Sequence, residues 1–233
     1  MKDALRAAGA RYWLKNARAH GSLIEGFTGE ADGDGLIRLD IRIEEGAVAA
    51  VAPQGAAPDG IDLCGGQVWP GPLDAHTHLD KGHIWPRTRN PDGTFFGALN
   101  AVMNDRGAKW SEPDVEARAD FAIRCAYAHG TTAIRTHIDT FMPMARGSWR
   151  VLTRLRERWA GRVDLQMCSI APLDRFAGPD GAEIADMVAE AGGVLGMVTR
   201  HTGGIHDALP ESFQAALDHF FSLAESRRLD LDL

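Results

Sequence analysis

The chain has 233 residues, 25 Lys plus Arg against 32 Asp plus Glu, a net charge of −7 and a 45% hydrophobic composition. These values describe a soluble globular protein with room for a large core. They argue against nucleic acid as a partner, because phosphate binding rests on clustered Lys and Arg, and against a membrane, because no apolar run approaches the ~20 residues of a span.

The N-terminal residues carry no apolar signal-peptide region. Cys64, Cys125 and Cys168 are odd in number and far apart, which disfavours both a disulfide scaffold and a CxxC metal site. A cytoplasmic location is the expectation.

Residues 1–67 read as a β-rich domain, a small layer or sandwich. Residues 12–18 form one strand. Leu36, Leu39, Ile41 and Ile43 alternate with charged residues in a second, and Glu45-Gly46 turns the chain into the apolar run 47–53, a hairpin. The acidic stretch Glu30 to Gly35 has the look of a calcium loop, but Ile41 stands where its closing Glu belongs, and a turn is the better reading.

From Val68 the rhythm becomes β-α. Strands are predicted at 68–76, 131–139, 163–171, 193–201 and 229–233, and helices at 111–130, 148–160, 180–191 and 210–226. The helix at 111–130 places Val115, Ala119, Ala122, Ile123, Ala126 and Tyr127 on one face, with Ser111 as cap and Gly130 as terminator. About four βα units and an opening fifth strand imply parallel strands with crossover helices. An open doubly wound sheet and the N-terminal part of a (β/α)8 barrel both fit. In the barrel, residues 68–233 are a partial domain that stops at strand five.

The strongest chemical signal is PGPLDAHTHLDK, 70–81. On an extended segment His76 and His78 point the same way, about 6–7 Å apart. At the end of a parallel strand, two such imidazoles suit one shared metal ion. Asp80 and Lys81 follow directly, either as groups that orient the imidazoles or as solvated loop charges. Arg135, His137 and Asp139 make a second i, i+2, i+4 row, readable as substrate contacts or as a hydrogen-bonded strand end. Residues 81–110 read as a loop or lid. Its Arg87, Arg89, Arg106 and Lys109 either meet a polar or anionic substrate or form a solvated charged surface. Cys168 reads as core packing, His129 as a helix cap, and His20, His201, His206 and His219 as surface groups.

The β layer followed by apolar-Pro-Gly-x-x-Asp-Ala-His-Thr-His resembles the opening of the amidohydrolase superfamily. HTHLDK (76–81), GTTAIRTHID (130–139) and VDLQMCSIAP (163–172) resemble its cytosine deaminase branch, which includes aminohydrolases acting on triazine rings. The resemblance runs from about Tyr12 to Leu233. It implies a metal-dependent (β/α)8 barrel holding one divalent ion, zinc or iron, with His76 and His78 as two ligands. It also implies that the RTHxD row lines the mouth, and that the reaction is hydrolysis of a non-peptide C–N bond in a small heterocyclic or amide substrate, by deamination. The catalytic Glu, two further His and an Asp ligand that it implies are expected beyond Leu233, so the chain alone is expected to be inactive.

One departure stands out. SIAPLDRF (169–176) has Pro172, Leu173 and Asp174 where members acting on cytosine carry a Gln, which weakens cytosine as the substrate. The alternatives are an amidohydrolase acting on a cyclic amide or N-acyl compound, or a non-catalytic half-barrel. A half-barrel exposes two strand edges and is expected to self-associate through them.

Overall fold

A computed structural model describes residues 2–200 and 209–233. His201 and His206 lie outside the described residues. The chain divides into two compact units, Met1–Pro70 and Gly71–Leu233, a boundary three residues past the expected one.

The first unit opens with a short helix, α1 (Lys2–Ala7), and continues with strands β1 (Arg11–His20), β2 (Leu36–Glu44), β3 (Ala47–Pro53) and β4 (Ile61–Asp62). They form one mixed sheet in the order β3-β2-β1-β4. The hairpin turn falls on Glu45 and Gly46, both at positive φ (49° and 78°), the conformation a tight two-residue hairpin demands. The pairing of β1 with β2 slips between Leu14 and Ala17. There the fully buried Asp40 accepts from Asn16 N–H and, through its other oxygen, from Gly55 and Ala57 N–H. The Glu30–Gly35 stretch is a turn: Asp32 accepts from Asp34 and Leu36 N–H.

The second unit is built from β5 (Leu73–Thr77), α2 (Phe95–Lys109), α3 (Glu112–Ala128), β6 (Ala133–Asp139), α4 (Ala145–Trp159), β7 (Asp164–Ile170), α5 (Leu173–Ala177), α6 (Asp180–Glu190), β8 (Leu195–Gly196), α7 (Phe213–Arg227) and β9 (Leu231–Asp232). Ladders join β5-β6-β7 and β8-β9, all parallel. Bridges from Cys168 to Val194 and from Pro172 to Val198 connect the two groups. Five parallel strands therefore run in chain order with helices between them, as in the N-terminal part of a (β/α)8 barrel. The core under the helices contains Ile123, Ile134, Ile138, Trp149, Leu152, Leu155, Met167, Phe176 and Phe220, all at 2% exposure or less. At Gly196 a Cβ would run into the Ser169 carbonyl oxygen and the Cys168 sulfur, so glycine permits the close approach of β8 to β7.

Two stretches differ from expectation. Residues 81–110 contain a four-turn helix, α2, started by Thr94, whose hydroxyl accepts from Gly97 N–H. Its apolar residues, among them Phe95, Phe96 and Met103, are largely exposed, so the segment lacks the core-facing stripe that announces a helix. The strand expected at 193–201 has only two ladder residues, Leu195 and Gly196; Gly192 and Gly193 precede it, and Val194 and Val198 flank it as isolated bridges to Cys168 and Pro172. Among the described residues no helix is long and apolar enough to cross a membrane.

Candidate metal centre

The C-terminal ends of the parallel strands carry the clustered polar groups. The β5–β6 pairing slips between Asp74 and Thr77, which places a bulge at Ala75-His76. Bulges re-aim side chains near the ends of strands. His76, His78 and His137 come together, with ring centroids 3.9 Å apart for His76–His137, 5.2 Å for His76–His78 and 5.9 Å for His78–His137.

One contact sets the chemistry of the pair. His78 Nδ1 lies 2.8 Å from the His137 backbone carbonyl. A carbonyl only accepts, so Nδ1 carries the proton and Nε2 keeps its lone pair free for a metal. Metal-bound histidines are oriented in this way. Burial, followed by the charge of Lys81, pushes the His78 pKa down to about 4. The neutral ligand form therefore holds across the physiological range. Burial and His76 also lower the pKa of His137. His137 is 2% exposed, and both its ring nitrogens lack a hydrogen-bond partner. Asp232 Oδ1 is 3.4 Å from its Nε2, near enough for an ion pair if the ring is protonated but outside hydrogen-bond geometry. His137, Cys168 and Asp232 offer ligand atoms within 4.8 Å of one another. The free Nε2 lone pair of His78, with His76 and the orphaned buried nitrogens of His137 beside it, fits a divalent ion of the zinc or iron type.

Acid should act on this site in a defined window. In the unfolded chain His78 binds its proton near 6.5, and in the folded chain only near 4. The unfolded state thus takes up more protons between those values, and the stabilising effect of the neutral ring, complete above 6.5, is lost as pH falls toward 4. A metal-free NMR titration of the His78 ring should show a midpoint near 4. A midpoint near 6.5 would contradict the buried, carbonyl-bound ring.

No hydrogen bond among the described residues joins Asp80 or Lys81 to His76 or His78. Asp80 is fully buried, and its Oδ2 accepts from Asp139 N–H at 2.9 Å. Burial and then the nearby Asp139 raise its pKa. Lys81 Nζ is 2.8 Å from Asp139 Oδ1, and Arg106 Nη1 is 2.9 Å from Asp139 Oδ2. Arg135 pairs with Asp232 at 2.8 Å and donates to Gln166. Of the RTHxD row, then, Arg135 and Asp139 hold neighbouring strands and loops, and His137 stays with the imidazoles. Arg87 is tied to Asp105 and Asp114. His129 Nδ1 lies 2.7 Å from the Cys125 carbonyl, which closes the end of α3. Cys168 is buried, and burial lifts its thiol to about 12.

Two positioning residues escaped the sequence reading. Thr136 Oγ1 accepts from Leu79 N–H. Arg118, only 8% exposed, donates Nη1 to the carbonyls of Asp80 and Gly82 while its other nitrogens hold Asp114. A charged residue three positions after Val115, on the buried face of α3, was the available signal. Arg118→Ala should leave two backbone carbonyls unpaired and loosen the loop that follows His78. A fall in metal affinity of about tenfold to a hundredfold, read by competition with a chelator, is expected.

A cleft of about 600 Å³ lies on the Lys81–Asp139–Arg106 side of these strand ends. Lys81 and Asp139, the ends of β7 and β8, and the α2 residues Phe96, Leu99, Met103 and Arg106 line it.

No protein-family model matches the chain. It is 43% identical over 229 residues to a pterin deaminase of Rhizobium rhizogenes strain K84, covering 96% of this chain and 50% of that protein. A 5-methylcytosine deaminase of Klebsiella pneumoniae, solved with 5-fluorocytosine, superposes with a TM-score of 0.71 at 20% identity, covering 94% of this chain and 50% of that one. An N-isopropylammelide isopropylaminohydrolase of Burkholderia multivorans superposes at 0.68 with 26% identity, covering 96% and 53%. The chain spans about half the length of the relatives it matches.

Proposed function

Because the chain belongs to the amidohydrolase superfamily, in its cytosine deaminase-like branch, we propose that it serves a metal-dependent hydrolase that deaminates a small aromatic heterocycle, with an aminopteridine as the leading substrate. The observation that carries this reading is the His76–His78 pair at the C-terminal ends of the strands, with His78 Nδ1 committed to the His137 carbonyl.

His76 and His78 would hold one divalent ion, zinc or iron. Bound there, such an ion makes hydroxide available near neutral pH for attack on an amino-bearing ring carbon. The chain's own residues do the rest of the positioning. Arg118, Thr136 and Asp80 fix the 78–82 backbone. The Lys81–Asp139–Arg106 cluster forms the wall of the cleft, and the exposed apolar face of α2 covers a flat ring and excludes water. Leu173, where the resemblance places a glutamine, favours a substrate other than cytosine. The pterin deaminase relative supports a fused ring. Three free cysteines support a reducing, cytoplasmic setting.

The test is ammonia release from pterin by the protein at its natural full length. Release should stop on chelation and return with zinc or iron. Release of an alkylamine from an N-alkylated triazine, with no ammonia from pterin, would favour the N-isopropylammelide type of reaction. Turnover unaffected by chelation would overturn the metal reading.

A further inference from the structure

Among the described residues, the cleft lined by Lys81 and Asp139 contains a cation with an unmade hydrogen bond. Among the described residues four cations line it, Lys81, Arg106, Arg175 and Arg200, against one carboxylate, that of Asp139. Asp139 already holds Lys81 and Arg106, one on each oxygen. Arg175, on α5, is different. Its Nε is buried with no hydrogen-bond partner, a donor that is costly to leave unmade. Its guanidinium carbon stands 5.8 Å from the centroid of the Phe141 ring, which Arg106 also approaches, at 4.5 Å. A part-buried guanidinium against an aromatic wall presents a planar fork that matches a carboxylate. The same short helix carries Leu173 in place of the amide the resemblance implies, and Leu173 is fully buried. Polar recognition from this loop therefore falls to Arg175.

We propose that Arg175 anchors an anionic substituent, a carboxylate on a planar heterocycle, while Phe96, Leu99 and Met103 of α2 cover the ring. The proposal rests on the deaminase reading for which end of the ligand reacts, but the binding it describes is measurable without turnover. Arg175 is here a specificity-determining residue, because the positive surplus of the cleft penalises a neutral ring less than it rewards a charged one.

The experiment is equilibrium binding to the full-length protein at about pH 8, where carboxylates are ionised. The probes are two matched pairs, pterin against its 6-carboxylate and cytosine against its 5-carboxylate. The native protein should prefer the carboxylate of a pair by about tenfold or more. Arg175→Met should remove that preference. No preference in the native protein, or one that survives Arg175→Met, overturns the proposal. If Arg175→Met does not fold, Arg175→Lys decides: it keeps the charge and loses the fork. A preference at least about threefold smaller supports the anchor, and an undiminished one refutes it. Ammonia release from the neutral members, measured in parallel, judges the deaminase reading by itself. If that fails, the binding result still stands.

Discussion

Replacing His78 with alanine should strip the protein of its metal and lower ammonia release by at least about a thousandfold. The reason is geometric. His78 is the imidazole whose protonation state the fold fixes, through the His137 carbonyl, and whose pKa burial holds near 4. Altering a group that merely orients a ligand costs about tenfold to a hundredfold in metal affinity or activity. Removing the ligand also removes the source of hydroxide at neutral pH. Metal per chain, measured by elemental analysis after dialysis, should fall to background in His78→Ala. It should stay at the native value in His83→Ala, since His83 is an exposed ring packed edge-on to Phe121. Native metal content in His78→Ala would sink the assignment.

Removing the carboxylate of Asp139 should produce the largest loss of stability in the site. Asp139 is 9% exposed and is the shared partner of Lys81 and Arg106, whose side chains are 22% and 11% exposed. In Asp139→Ala two part-buried cations face each other with no anion between them. Breaking such a pair from one side costs about 3–5 kcal/mol. The residual exposure of Lys81 reduces this to about 3 kcal/mol, a fall of roughly 6–12 °C in melting temperature for a chain of this size. Arg106→Met in the same background should recover part of the loss, because it removes one of the stranded charges. A double-mutant cycle showing strict additivity would mean that Asp139 stabilises the fold through something other than its ion pairs.

The parallel sheet was legible because its strands are short apolar runs separated by helices of clear 3.6-residue period. α4, with Val151, Leu152, Leu155 and Trp159 on its buried face, is the plainest. α2 was not legible, since its large apolar side chains face the cleft and leave no core stripe for a periodicity to detect. Of the site, the HxH pair could be found because two residues apart on an extended segment is a local relation. The Asp139 cluster could not, because its partners lie 58 and 33 residues away and only the packing of three elements brings them together. The role of Arg118 is of the same kind: what it binds is backbone, which has no sequence signature. The pairing of Arg135 with Asp232, across 97 residues, is likewise a relation between strands that the sequence does not announce.

The contact from His78 to β6 ends on a main-chain oxygen. Every amino acid carries that oxygen, so the orientation of the His78 ring does not depend on which side chain occupies position 137. The imidazole there can be exchanged while the neighbouring ring stays in place. In evolutionary terms, the proton on His78 and the side-chain chemistry of position 137 are separable. A sequence can drift at residue 137 while the hydrogen bond that sets that proton is inherited unchanged.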